Sequence, residues 1–378
     1  ALVTIGDDTF PLAEGFEQFA ATLAQYFPGK KAALQQYTGM LQQLNYENDI
    51  HQNAYQYLSQ LFHDDLLLNV VSGSSLKMEL RKDTLPLFCF AHINAGFIES
   101  SWRLRGDGNL LVNKLTDGIV RQGGSICCGA EVTELQEKDG RIVAARCSNG
   151  ETYEADTFIC DIHPAMMLEL IKEGGKIKRT FRKRITQLEN SFGIFTASLL
   201  LKPGTVPYFN HNKYVYRESN VWSFYEKTAQ SVGGVMVSCC VPEDASPWTQ
   251  QIDLLTPMPW TRCLPFADTT VGHRGMAYED LKRRMAAECV ELAERVVPGL
   301  SGCIAQCYTS TPLTYRDYNH TPEGSAYGIR KDYANPMMTV LSPQTPISNL
   351  LLTGQNIALH GLQGVIMAAQ QTCKHINK

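Results

Sequence analysis

The sequence predicts an α/β (α+β) protein of two domains, one assembled from separated pieces of the chain and interrupted by the other. Three observations predict it. Helical periodicity dominates residues 13 to about 80. Short strands with hairpin turns crowd 125–160. A strand, a glycine-bearing loop and a helix follow at 349–376. At 378 residues the chain exceeds one small core, and about two or three domains fit at the usual ~100–200 residues each.

The elements follow in order. Ala1–Gly6 reads as the tail of a strand, with an Asp-Asp turn after it. From Glu14 to Tyr26 the residues Phe16, Phe19, Leu23 and Tyr26 recur at helical spacing, and Phe27-Pro28-Gly29 stops the run. Helices are expected again over 30–45 and 51–69. Leu111, Leu115 and Ile119 mark an amphipathic helix over 109–122, ended by Gly123-Gly124. Strands are expected at 125–129, 132–136, 141–147, 152–154 and 157–160. Asp139-Gly140 and Asn149-Gly150 supply hairpin turns.

Residues 165–190 read as helical and carry a basic group, Lys176, Lys178, Arg179, Arg182, Lys183 and Arg184. Such a group suits either a solvated helix face or anionic lipid heads and phosphates. The pattern turns to strand at 194–201, 214–216, 222–225 and 235–241. A helix over 278–296 aligns Leu281, Met285, Cys289, Leu292 and Val296, and Pro298-Gly299 stops it. The last strand is expected at 349–353 and the last helix at 364–376.

Composition narrows the function. Lys plus Arg is 34 and Asp plus Glu is 38, a net −4 that gives no electrostatic case for nucleic acid. No apolar run reaches the ~18–20 residues of a membrane span. No basic-then-apolar leader precedes the first helix, so a cytoplasmic location is expected. The twelve Cys include vicinal pairs at 127–128 and 239–240 and no Cys-x-x-Cys, so reduced thiols are expected rather than a zinc site. There is no Gly-x-Ser-x-Gly, no His-Glu-x-x-His and no Walker loop. His92, His163, His320 and His360 each read more readily as structural than as catalytic.

The stretch 351–367 carries the most chemistry. A hydrophobic strand ends in Thr353-Gly354-Gln355, and a loop bearing Gly361 and Gly364 enters a helix. Glycines there let a flat or anionic group approach the backbone. The helix start offers unpaired N–H groups and a positive dipole end. A tight strand-to-helix turn is the plainer alternative.

Several segments, in order, resemble one family. They are 101–108 before an amphipathic helix, Gly123-Gly124, 130–135, and 155–164 ending in Asp161-Ile162-His163-Pro164. Then come Leu188–Ser191, 311–318, 321–328, and Leu352–Gln355 with His360-Gly361 and 364–367. Together they resemble the phytoene-desaturase-like flavoproteins, in the carotenoid isomerase and retinol saturase branch.

The resemblance implies an FAD-binding, Rossmann-like domain of the amine-oxidase and Rab-escort type, with an inserted substrate domain of antiparallel sheet and helices. It places the helical part of the substrate domain at 1–100, FAD-binding parts at 101–164 and 336–378, and the rest of the substrate domain at 165–335. It implies that Val132 grips the adenine and that Gly354, Gln355 and Asn356 lie by the pyrophosphate and ribityl chain. Gly361, Leu362, Gly364 and Val365 would line the flavin. The family often has an acid where Asn356 stands. Tyr315, Tyr318, Tyr327 and His360 are its proton-donor candidates, by position alone. No metal is expected.

The implied activity is flavin-dependent saturation, desaturation or isomerisation at a carbon–carbon double bond of a long apolar polyene or isoprenoid. NAD(P)H would be the reductant, and a peripheral membrane contact is expected. The family's opening strand, Gly-x-Gly-x-x-Gly and helix are absent from this sequence. On that ground the chain is expected to be an N-terminally truncated fragment, inactive and weak in FAD binding. Two alternatives stand beside this reading: a non-enzymatic isoprenoid-binding relative of Rab escort proteins, and a flavin amine oxidase.

Overall fold

The computed structural model describes every residue except Ser75, Asp107, Glu173, Gly174, 228–230, Glu243, Ala358, Asn377 and Lys378. Asp107 of the 101–108 motif therefore lies outside the described residues. The strands are β1 (Leu2–Ile5), β2 (Asp8–Pro11), β3 (Val132–Lys138), β4 (Arg141–Cys147), β5 (Thr152–Glu154), β6 (Phe158–Cys160), β7 (Gly193–Leu201), β8 (Lys213–Tyr216), β9 (Gly234–Cys239), β10 (Gln251–Met258), β11 (Ile304–Ser310) and β12 (Leu350–Leu352).

The chain forms two compact units. Unit 1 comprises 1–107, 192–314 and 331–336; unit 2 comprises 108–191, 315–330 and 337–378. These ranges differ from the expected ones: residues 165–191 and 315–330 join unit 2. Composition does not mark that boundary, because it follows contacts. Met167, Leu168, Ile185 and Ile329 share a core with Leu350 and Leu352.

Unit 1 holds a seven-stranded sheet in the order β11-β7-β10-β9-β8-β1-β2. Only the β1–β8 pair is parallel. Along β7, alternation turns Phe195, Ala197, Leu199 and Leu201 inward. The helix Met276–Glu294 packs Leu281, Met285, Cys289 and Leu292 into the same core, while Val296 falls just past its end. A helical cluster comprises Phe16–Tyr26, Lys31–Gln42, Ala54–Phe62, Asp65–Ser72 and Leu87–Glu99. Tyr37 sits between Phe19 and Phe62, with ring centroids 6.1 and 5.5 Å away.

Three expectations are corrected. Residues 222–225 are helical turns, not a strand. The Asn220 side chain accepts from the Trp222 and Ser223 amides at 3.1 and 3.2 Å, which starts a helical turn in a run whose aromatics favour strand. Residues 125–129 are irregular, since β3 begins at Val132 and no described strand pairs with them. The 165–190 region is two short helices, Pro164–Glu169 and Arg179–Thr186. The Arg182 guanidinium donates to the carbonyls of Leu168 and Ile171 at 2.5 and 2.6 Å, satisfying the end of the first helix from the second. The helix Leu87–Glu99 went unpredicted because it is apolar on nearly every side and carries little periodic signal.

Unit 2 contains the antiparallel meander β3-β4-β5 and the parallel pair β12-β6. The Asp139-Gly140 turn adopts φ of 51° and 77°, the left-handed pair that a two-residue hairpin needs. Asn349 ties β12 to the meander. Its Oδ1 accepts from the Ile142 amide at 2.9 Å, and its Nδ2 donates to the Ile142 carbonyl at 2.8 Å. The helix Asn109–Arg121 buries no residue. Leu115 is 61% exposed, and Leu110, Val112, Ile119 and Val120 are exposed beside it.

Candidate functional site

The site is built where β6 and β12 end. The two strands run parallel, with Leu350 opposite Phe158 and Leu352 opposite Cys160. Parallel sheets place ligands outside the carboxyl ends of their strands. Here those ends are Asp161-Ile162-His163 and Thr353-Gly354-Gln355-Asn356. The Thr353 amide extends the pairing by donating to the Cys160 carbonyl at 3.1 Å.

Gly354 adopts φ 83°, and a side chain there would collide with the Asp161 carboxylate. Asp161 was not among the expected site residues, although its motif was noticed. Burial raises its carboxyl above the usual range. His163 is buried and structural. Its Nδ1 accepts from the Ala165 amide at 3.2 Å, and its Nε2 lies 2.8 Å from Asn190 Oδ1.

Asn356 is buried, and its Oδ1 accepts from the Ile329 amide at 3.1 Å. That hydrogen bond holds the 327–329 segment in place. Gly328, at φ 67°, leaves the room that the Asn356 amide occupies. The segment carries Tyr327, which stacks on His360 with ring centroids 4.1 Å apart and planes at 21°. The fold thus brings together two of the four proton-donor candidates. Tyr315 is half-buried on the helix Pro312–Asn319, and Tyr318 on the same helix is 68% exposed.

His360 precedes the helix Gly361–Cys373, whose start has no side-chain cap. Gly361, at φ 78°, has open space where a side chain would stand. Leu362 is exposed, Gly364 is packed against the Leu359 carbonyl, and Val365 is half-buried. Gln355 is half-buried. Thr372 fixes the helix on the strand, its hydroxyl donating to the Leu352 carbonyl at 2.9 Å. Val132 starts β3 opposite Cys147 and is 36% exposed, so its backbone lies at the surface of the meander.

No family model matches the chain. Curated relatives do match part of it. The all-trans-retinol 13,14-reductase of Rattus norvegicus is 32% identical over 130 residues, 34% of this chain and 21% of that protein. Over that stretch the chain is similar to the all-trans-retinol 13,14-reductases. The human protein of that name is 31% identical over the same number of residues, and the Danio rerio one is 31% identical over 107. The match spans only about a fifth of these relatives' length.

Solved structures agree on the fold. An oxidoreductase from Methanosarcina mazei gives a TM-score of 0.58 at 15% identity, over 86% of this chain and 68% of that one. Putrescine oxidase bound to putrescine gives 0.59 at 11% identity, over all of this chain and 80% of that one. The chain therefore shares the fold of these two proteins, and the resemblance to the retinol-saturase branch holds.

The residues present fit the flavin side of such a site. An uncapped helix start, open space over Gly361 and the adjoining Tyr327–His360 stack offer backbone donors beside a flat aromatic wall.

Proposed function

We propose that the chain carries a substrate domain and part of the cofactor site of an FAD-dependent oxidoreductase acting on carbon–carbon double bonds of a long apolar polyene. The sequence match to the retinol 13,14-reductases carries this reading. The oxidoreductase fold supports it. When bound, FAD supplies hydride chemistry, with NAD(P)H as the external reductant.

The chain's own residues would then bind, orient and protonate. The backbone from Gly354 to Gln355 would hold the cofactor's phosphate and ribityl side, and the start of the Gly361–Cys373 helix would take the ring. Asn356 positions Tyr327 through Ile329. Tyr327, braced by His360, is the proposed proton donor to the alkene carbon that does not receive hydride. Because the Gly-x-Gly-x-x-Gly unit is absent from this sequence, FAD held by this chain alone is proposed to bind weakly.

Among the described residues no helix is long and apolar enough to cross a membrane. A peripheral contact through the exposed Lys176, Lys178, Arg179 and Lys183 is proposed. Arg182 is not part of it, being spent on the Leu168 and Ile171 carbonyls.

The test uses protein from the whole reading frame, reconstituted with FAD, reduced with dithionite and given all-trans-retinol without oxygen. A product two mass units heavier supports the reading, and Tyr327→Phe should then slow it by roughly 10²–10⁴-fold. Tight retinol binding with neither flavin uptake nor product would favour the non-enzymatic isoprenoid binder.

A further inference from the structure

Unit 1 contains a cavity of about 210 Å³ that none of the flavin-side residues touches. Leu12, Phe19, Val71, Ile98 and Tyr214 wall it, and all five are buried. Lys77, Arg103 and His211 line it as well, while the sole carboxylate in the lining among the described residues is the exposed Glu14, whose Oε1 accepts from the Ser101 amide at 3.1 Å.

The cationic groups are fixed in place. Arg103 donates through Nη1 to the Cys239 carbonyl at 2.7 Å and through Nη2 to Asn212 Oδ1. Lys77 Nζ lies 3.7 Å from the centroid of the Phe97 ring. His211 Nε2 is shut off from solvent with no hydrogen-bond partner, an arrangement that costs free energy unless a bound group completes it. The local field is positive: burial first, then Lys213 and Arg103, hold the His211 ring below the usual imidazole range.

Size and rim decide what fits. At roughly 30 Å³ per water, the space holds a head group and a few carbons, short of the ~300–1,000 Å³ of a whole-ligand pocket. At the rim stand Phe97, 49% exposed, and Trp102, 90% exposed. A chain too long for the cavity would leave across those two rings.

We propose that this cavity binds the carboxylate end of a long-chain apolar acid, with the head between Lys77, Arg103 and His211 and the tail crossing Phe97 and Trp102. Lys77 and Arg103 bring cationic donors to the head, and charge-assisted bonds in a half-dry site are the strong ones. All these groups belong to unit 1, so the proposal does not rest on the redox reading.

Calorimetric titration of the full chain with decanoate, decanol and acetate tests it. Decanoate should bind at least tenfold more tightly than decanol, and acetate should not compete at equal concentration. Lys77→Met should remove the preference for acid over alcohol while circular dichroism stays unchanged. In the unsubstituted protein, decanoate should protect Lys77 from reductive methylation, read by peptide mass mapping, which needs no variant to fold. Equal affinity for acid and alcohol, acetate binding as tightly as decanoate, or unprotected Lys77 would each overturn the proposal.

Discussion

Gly354 lies so close to the Asp161 carboxylate that no side chain fits between the ends of β12 and β6. The contact joins two strands almost two hundred residues apart in sequence, and it sets how near any ligand can come to both strand ends. Gly354→Ala meets two penalties, the collision and a φ of 83°. It should lower stability by about 1–3 kcal/mol. Adding Asp161→Ala should recover the steric share alone. Urea unfolding of the single and double variants measures both shares.

Asn356 holds Ile329 through one hydrogen bond to a buried amide. Asn356→Ala leaves that amide without its acceptor and should cost about 1–3 kcal/mol. Asn356→Asp keeps an oxygen in place and should cost less. Amide hydrogen exchange at Ile329 reports the same event locally, with faster exchange in the alanine variant.

Burial pulls Lys77 down to about 7 from the ordinary 10.5. Below 7 both folded and unfolded chains hold the proton, and the cost of a buried charge is fully present. Between 7 and 10.5 the unfolded chain holds one proton more than the folded chain, so this residue makes stability rise with pH. Lys77→Met removes the term. The variant's advantage in urea midpoint over the unsubstituted protein should be largest near pH 7 and shrink by pH 9. An advantage that is constant across that range contradicts the assignment.

The apolar side chains of the helix Asn109–Arg121 stand in solvent. A contiguous exposed patch of this kind drives association or dye binding. Leu115→Glu with Ile119→Lys should cut the binding of a hydrophobic fluorescent dye by at least half and leave the melting temperature nearly unchanged, since neither side chain is buried. Light scattering at several concentrations should show less self-association in the same variant.

Much of unit 2 was legible from local chemistry. Asp139-Gly140 adopts the left-handed turn its residues demand, and the Asn109–Arg121 helix appears where Leu111, Leu115 and Ile119 mark it. Tyr327 and His360 were marked separately by position; their stacking was not readable, because it depends on Asn356 reaching Ile329 across 27 residues. Asp161 went unassigned for the same reason. Its role exists only beside Gly354.

Local propensity failed where a distant partner outweighed it. Trp222 sits in a helical turn because Asn220 caps the turn, and its indole donates to the Ser72 hydroxyl at 2.9 Å. By themselves the residues determined turn positions, helix periodicity, the absence of a Gly-x-Gly-x-x-Gly unit, and an ordered set of motifs enough to name a family likeness. Those are short-range properties, set by φ preferences and side-chain spacing. Tertiary structure alone decided which segments share a core, where the parallel strand ends meet, and that Lys77, Arg103 and His211 converge on one cavity. Such groupings arise from burial and hydrogen bonding between residues far apart in sequence, and no local pattern encodes them.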